Sequence, residues 1–440
     1  MKTIRLIFFF AVLLSTRMLA ADSISFFSKT DKDIIIDKTK PFAIITKVIK
    51  LDKTQNVLVV ADGSFMPHIK NGKAQIFIEI NKSSDASNKS IIDWGTTDNP
   101  QPHSFNCIAG VKLTKGTYVI KLIASVHKDT PDSNFIVAKS SGISILVNVA
   151  PNMISTKPSI SDVIINQDTG KKGGSKPLVM NEIIKNEINV GDKQTNVVSL
   201  SSGNSSRICG EGDALWGIFL NNEDCLNNGS SQWSVNDILR SAELTAPMYL
   251  HSLHSLAGKN TISLKASELS FTYFENPVCY AIDKETRLIT LFGMNLSGKA
   301  SFTNTYCNRE EWGVFGSKDD AKYPPIGIPH VVLSKEVDIP QGHNGIVLFL
   351  TKFRLQPDKN DIGGKASLWL NIDGVDVGTI GRQGFKKPNG DSSRTISASY
   401  LSVGKNALTV GKHIVKVYLK GEGDFMHIAH SLDLPLIYFD

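Results

Sequence analysis

GKASLWLNIDG at residues 364–374, LTVGKHIVKVYL at 408–419 and MHIAHSLDLPLIYF at 426–439 close the chain, and their reading decides the fold. In KHIVKVYL, His413, Val415, Val417 and Leu419 fall on one face and Ile414, Lys416 and Tyr418 on the other. That period of two belongs to a half-buried β-strand. In SLWLNI, Leu368, Leu370 and Ile372 share a face opposite Ser367, Trp369 and Asn371. Each segment carries a landmark: Trp369, Gly411 and Ala429.

The landmarks recur twice upstream. GKAQIFIEIN holds Phe77 and GDALWGIFLNN holds Phe219; LTKGTYVIKLIASV holds Gly116 and LAGKNTISLKA holds Gly258. FIVAKSSGISILV holds Ala138 and CYAIDKETRLITLF holds Ala281. Aromatic-to-glycine spacings are 39, 39 and 42 residues, and glycine-to-alanine spacings are 22, 23 and 18. A fourth landmark opens each set: Asn56 before VLVV, Asn196 before VVSL and Asn344 before GIVLFL, preceding the aromatic by 21, 23 and 25 residues. Four landmarks in one order point to one β unit used three times. The glycines precede strands, where a turn calls for positive φ.

The expected fold is all-β: three tandem β-sandwich, jelly-roll-like domains from a divergent internal repeat. The boundaries read as domain 1 over 22–150, a linker over 151–180, domain 2 over 181–297, a connector over 298–327 and domain 3 over 328–440. One short helix is expected over Val235–Leu244. The run GTYVIKLIA resembles the late strands of jelly rolls, among them sugar-binding modules and C1q-like domains; this resemblance implies architecture alone.

Residues 1–20 read as a secretory signal. Lys2 and Arg5 precede the apolar run Leu6–Leu14, too short to span a bilayer, and small residues follow at Ala20 and Ala21. The expected location is extracellular, with no membrane span. Removing this segment takes away three positive charges and lowers the net charge from +6 to +3, which gives no argument for nucleic acid. Cys209, Cys225, Cys279 and Cys307 cluster in the middle third, apart from Cys107. In an exported chain they suggest two disulfides, with Cys209–Cys225 and Cys279–Cys307 preferred because local loops close most easily. Sequons stand at Asn81, Asn88, Asn204, Asn228 and Asn295.

Chemistry is sparsely marked. The run GKKGGSK at 170–176 is followed by Pro177, which blocks the helix a phosphate loop needs. His251 with His254, and His427 with His430, would share a face only on a helix. Asp358 with Asp361, and Asp373 with Asp376, are the acidic loops that could hold a structural calcium. No Gly-x-Ser-x-Gly nucleophile elbow is present. Trp94, Trp312 and Trp369 are the candidate ligand contacts, the first two in loop-like sequence. Phe77 and Phe219 at the slot of Trp369 read as packing positions, which turns attention to the loops.

The sequence therefore points to a non-enzymatic secreted binding or adhesion protein, its modules presented to a glycan or cell surface with avidity from tandem copies. A self-associating coat, matrix or appendage component, and a carbohydrate-active hydrolase with carboxylates paired only in space, are the alternatives.

Overall fold

The strands following Asn56, Asn196 and Asn344 are apolar on both faces, and the architecture explains why. The computed structural model describes residues 25–439 except 69–71, 95–100, 160–162, 167–180, 193–194, 210–212, 225–233, 238–244, 270–278, 295–303, 306–326, 358–362, 387–393, 425 and 434–435. The expected signal segment and the GKKGGSK run lie outside them.

The first sandwich holds β1 (Phe26–Lys29), β2 (Ile34–Ile36), β3 (Phe42–Leu51), β4 (Gln55–Pro67), β5 (Gly72–Ile80), β6 (Lys89–Trp94), β7 (His103–Leu113), β8 (Gly116–Val126), β9 (Phe135–Val137) and β10 (Gly142–Val147). The second holds β11 (Asn152–Thr156), β12 (Val163–Asn166), β13 (Asn181–Asn189), β14 (Thr195–Cys209), β15 (Asp213–Leu220), β16 (Glu223–Asp224), β17 (Ser234–Asp237), β18 (Thr245–Leu256), β19 (Lys259–Leu269), β20 (Cys279–Ile282) and β21 (Arg287–Met294). The third holds β22 (Asn304–Thr305), β23 (His330–Ile339), β24 (Ile346–Pro357), β25 (Gly363–Ile372), β26 (Val375–Lys386), β27 (Arg394–Ser402), β28 (Gly411–Asp424), β29 (Met426–Asp433) and β30 (Leu436–Phe439).

One pairing scheme recurs. An outward sheet runs β3-β8-β5-β6, then β13-β19-β15 with β16 and β17 on β15, then β23-β28-β25-β26. An inward sheet is built on one long strand. β4 pairs β7 on one side and β10 with β9 on the other; β14 pairs β18, β21 and β20; β24 pairs β27, β30 and β29. Every pairing among the described residues is antiparallel, and in each sandwich an inward sheet of five or six strands and an outward sheet of four or five form a jelly-roll-like β-sandwich. The recurrence is one of topology, and Phe77, Phe219 and Trp369 sit on the equivalent strands β5, β15 and β25.

The expected alternation is present. His413, Val415, Val417 and Leu419 are buried, as are Leu368, Leu370 and Ile372. Gly258 and Gly411 have φ of 75° and 119°, but Gly116 does not take positive φ. Two boundaries change. Asn152–Thr156 pairs with β21 and Val163–Asn166 with β20, so the expected linker supplies two strands of the second sandwich. Asn304–Thr305 pairs with β29, so the connector supplies a strand of the third. The expected helix at Val235–Leu244 starts on β17, where four residues bond to the edge of β15; residues 238–244 are not described.

Each sandwich has its own core, and a fourth core joins them. Val57, Val59 and Ala61 enter the first core, whereas Leu58 and Val60 point the other way. Val197 enters the second core, and Val198 and Leu200 point away. Val347 and Phe349 enter the third, and Leu348 and Leu350 point away. The residues pointing away meet in one cluster with Ile108, Ile289, Leu291 and Leu401. Strands covered on both faces lose alternation and read as continuous apolar runs. The Ile289 side chain of the second sandwich seats on Gly110 of β7, where a Cβ would stand 3.0 Å from it.

Polar contacts ring this core. Ser397 Oγ donates to Asp62 Oδ1 at 2.8 Å, the Ser104 N–H donates to Gln383 Oε1 at 3.1 Å, and the Gly384 N–H donates to the Pro102 carbonyl at 2.6 Å. Between the first two sandwiches, Asn88 Nδ2 donates to Ser202 Oγ at 3.1 Å and Asn204 Nδ2 donates to the Lys89 carbonyl. Among the described residues no helix is long and apolar enough to cross a membrane.

Candidate functional site

With the inward sheets joined, the outward sheets carry the broad solvent-facing surfaces. Their central strands place one aromatic each on the outer side, because the flanking residues at odd register fill the core: Ile76 and Ile78, Ile218, and Leu368 and Leu370. The slot therefore lies outside the sandwich cores, contrary to the packing expectation for Trp369. In two sandwiches it is covered. Phe77 is buried with Lys89 Nζ 5.8 Å from its ring centre, and Phe219 is buried with Lys265 Nζ at 4.9 Å. A cation over a ring face is attractive.

In the third sandwich the slot is different. Trp369 is half-buried and stacks on Tyr418 of β28, with ring centres 5.5 Å apart and planes 11° from parallel. Val331 of β23 stands opposite Tyr418 in register and is 36% exposed, so an apolar row crosses three strands. On the fourth strand the register breaks. Leu368 faces Gly381 and Leu370 faces Val377, which leaves Trp369 with no residue opposite it on β26. This bulge is anchored elsewhere: Thr379 Oγ1 accepts from the Ser399 N–H at 2.8 Å, and the Ile380 N–H donates to Ser140 of the first sandwich at 3.0 Å. Bulges of this kind re-aim side chains beside functional surfaces. The Trp369 indole N–H is withdrawn from solvent and has no acceptor among the described residues.

Polar side chains border the aromatic row on both sides. One border holds Ser334, Lys416, Asn371 and Asp376 in register. The other holds Ser367, Lys420, Lys365 and Glu422. Lys365 and Lys420 reach Glu422 at 2.9 and 3.1 Å, and their hydrogen bonds hold that carboxyl below its ordinary range. A flat apolar plate bordered by donors and acceptors suits a ring with one apolar face and polar edges.

The other expected site residues fare differently. Trp94 ends β6 and packs in the first core against Phe65 and Phe135, with ring centres at 5.7 and 6.0 Å. It is no loop platform. Gly72 makes the seat, since a Cβ there would fall 2.1 Å from the Trp94 ring. Trp312, Asp358 and Asp361 lie outside the described residues. Asp373 and Asp376 serve the β25–β26 turn, with φ of 52° at Asp373 and 87° at Gly374. Asp373 Oδ2 lies 2.6 Å from His413 Nδ1 and Oδ1 accepts from the Ile414 N–H at 2.8 Å; Asp376 Oδ1 accepts from Asn371 Nδ2 at 2.7 Å. Those oxygens are committed to the turn, and no group of three metal-ligating side chains occurs among the described residues. The His413 bond holds the Asp373 carboxyl low. Burial disfavours protonated His413, but its bonds to Asp373 and to the Thr409 carbonyl outweigh this and raise its pKa.

His251 and His254 lie on β18, and His427 and His430 on β29, so neither pair stands on the helix that would have set both on one face. Of the sequon asparagines, Asn88 and Asn204 are buried between sandwiches, a position closed to a glycan. Cys225 and Cys307 lie outside the described residues, while Cys209 stands in register opposite Cys279. Cys107 is a buried free cysteine whose thiol burial pushes far up.

No protein-family model matches this chain, and no curated protein does. Among solved structures, a structure of PNGF-II is 9% identical, with 88% of this chain and 98% of that chain covered at a TM-score of 0.28. The tandem CBM22-1-CBM22-2 domain of Paenibacillus barcinonensis Xyn10C is 7% identical, covering 62% and 99% at 0.18. A triple jelly roll protein of an archaeal virus is 10% identical, covering 92% and 97% at 0.19. At these scores the fold assignment rests on the strand pairing itself.

Proposed function

We propose that this chain is a secreted, non-enzymatic binding protein that offers the Trp369–Tyr418 face of its third sandwich to a glycan or a cell surface. One observation carries the reading: the aromatic slot covered by lysine in two sandwiches is a stacked, half-buried Trp–Tyr pair bordered by polar side chains in the third. The plate would take a sugar ring by stacking, and the border would take its hydroxyls. Intrinsic fluorescence titration of the full chain against a panel of oligosaccharides tests it. Trp369→Ala should weaken binding roughly tenfold or more, the equivalent of about 1.4 kcal/mol, while Lys89→Ala leaves it unchanged. Equal affinity of wild type and Trp369→Ala for every bound sugar refutes the reading.

The fourth core supports a second reading, a structural extracellular component, because it joins the three sandwiches through packed side chains. Concentration-dependent polymerisation in sedimentation runs, without sugar binding, would favour it. Export is tested separately by sequencing the mature N-terminus, expected just after Ala20 or Ala21.

A further inference from the structure

We infer that Cys209 and Cys279 form a disulfide that ties β14 to β20 in the second sandwich. The two residues are directly opposed in the antiparallel register of these strands. Opposed residues on such strands have Cα atoms about 4.5–5.5 Å apart, inside the roughly 4.4–6.8 Å that disulfides span. The register is itself informative. Arg207 pairs with Tyr280, and regular pairing would then set Ile208 against Cys279. A bulge between Arg207 and Cys209 skips one residue and sets cysteine against cysteine.

The sequence-local partner is placed differently. Asp224, the residue before Cys225, pairs with Phe219 in the outward sheet. Phe219 lies six residues along β15 from Asp213, about 20 Å at ordinary strand rise, and β15 leads away from the end that follows Cys209. Cys209 belongs to the inward sheet. The bond would close a loop of seventy residues that contains the whole of β15 to β19, so it would hold the second sandwich as a unit.

The chemistry balances by thiol–disulfide exchange. The two thiols lose two protons, the S–S bond forms, and the two electrons reduce the disulfide of an oxidant to two thiols. A disulfide-bonded thiol catalyst or oxidised glutathione supplies that oxidant. The inference rests on the export reading only for its setting in the cell, and oxidation in a glutathione buffer separates the two questions.

The test is peptide mapping of the full chain folded in reduced and oxidised glutathione, alkylated, then cleaved after Glu and Asp without reduction. Cuts at Glu211, Asp224, Glu275, Asp283 and Glu285 place Cys209, Cys225, Cys279 and Cys307 on separate peptides. The expected result is a Cys209 peptide joined to a Cys279 peptide and released by reductant. In Cys209→Ser, Cys279 should become alkylatable while Cys225 keeps its wild-type state. A Cys209–Cys225 or Cys279–Cys307 link, an alkylated Cys209 in the oxidised wild type, or release of Cys225 by the substitution would overturn the inference. Mapping of the wild type decides even where the variant does not fold.

Discussion

Leu58 tests whether the three sandwiches are one cooperative body. It lies on β4 between Val57 and Val59, which fill the first core, yet its own side chain is fully buried in the cluster shared by all three sandwiches. Leu58→Ala removes three carbons, about 2.4 kcal/mol of transfer free energy at about 0.8 kcal/mol per methylene. Incomplete collapse of the surrounding wall adds a cavity cost, for a total of roughly 3–5 kcal/mol. If the sandwiches were independent modules on linkers, Leu58 would sit on a solvated sheet face and the change would cost about 0.5 kcal/mol or less. The assay is equilibrium urea unfolding followed by tryptophan fluorescence in two variants that each keep one of the five tryptophans, Trp94 to report the first sandwich and Trp369 the third. Leu58→Ala should lower the midpoint at both reporters, because Leu58 shares its cluster with Leu348 and Leu350 of the third sandwich. A loss below about 0.5 kcal/mol, or a midpoint change at Trp94 with none at Trp369, refutes the shared core.

Two further outcomes follow from titrating groups. Burial pushes the Asp62 carboxyl up to about 6, opposed by the Ser399 and Ser397 hydroxyls, so folding disfavours its ionised form. A raised carboxyl adds stability as pH falls from about 6 to about 4 and loses it as pH rises. The gap of about two pH units corresponds to ~3 kcal/mol, so Asp62→Asn should gain up to that amount over wild type at pH 7 and nothing at pH 4 in paired urea curves. A pH-independent difference rules this out. For His413 the raised pKa means the bond to Asp373 contributes fully below about pH 6.5 and fades above it, while protonation of Asp373 weakens it at acid pH. His413→Gln should cost about 0.5–1 kcal/mol at pH 6 and less at pH 8, read as the melting temperature against pH; an equal cost at both values would remove the ion pair from the account.

The strands with one wet face were legible in the sequence, and those with two dry faces were legible only as apolar runs. KHIVKVYL alternates because β28 lies in an outward sheet; VLVV at 57–60 does not, because Leu58 and Val60 meet other sandwiches. Nothing in the run itself names the second covering surface. NMIST and VIIN were read as linker because four or five residues among turn-formers carry too little periodicity, yet pairing with β21 and β20 makes them strands. Trp94 looked like a loop residue from the GTTDNP that follows it, and its seat at Gly72 is twenty-two residues away. Loop-closure reasoning favoured the nearest cysteine for Cys209, and nothing in the sequence showed that strand register sets Cys279 opposite it.

The packing of the sandwiches also shapes the candidate face. β26 is where the third sandwich meets the first: Arg382 Nη1 donates to the Lys139 carbonyl at 3.0 Å, and the Ile380 and Gly384 N–H groups donate to Ser140 and Pro102. The 378–380 bulge lies close against β27, where a Cβ on Gly378 would stand 2.4 Å from the Ser399 carbonyl. Without that bulge a residue of β26 would stand in register beside Trp369, as Lys89 of β6 stands beside Phe77. The strand that locks the first sandwich to the third is thus the one whose register break leaves no residue opposite Trp369.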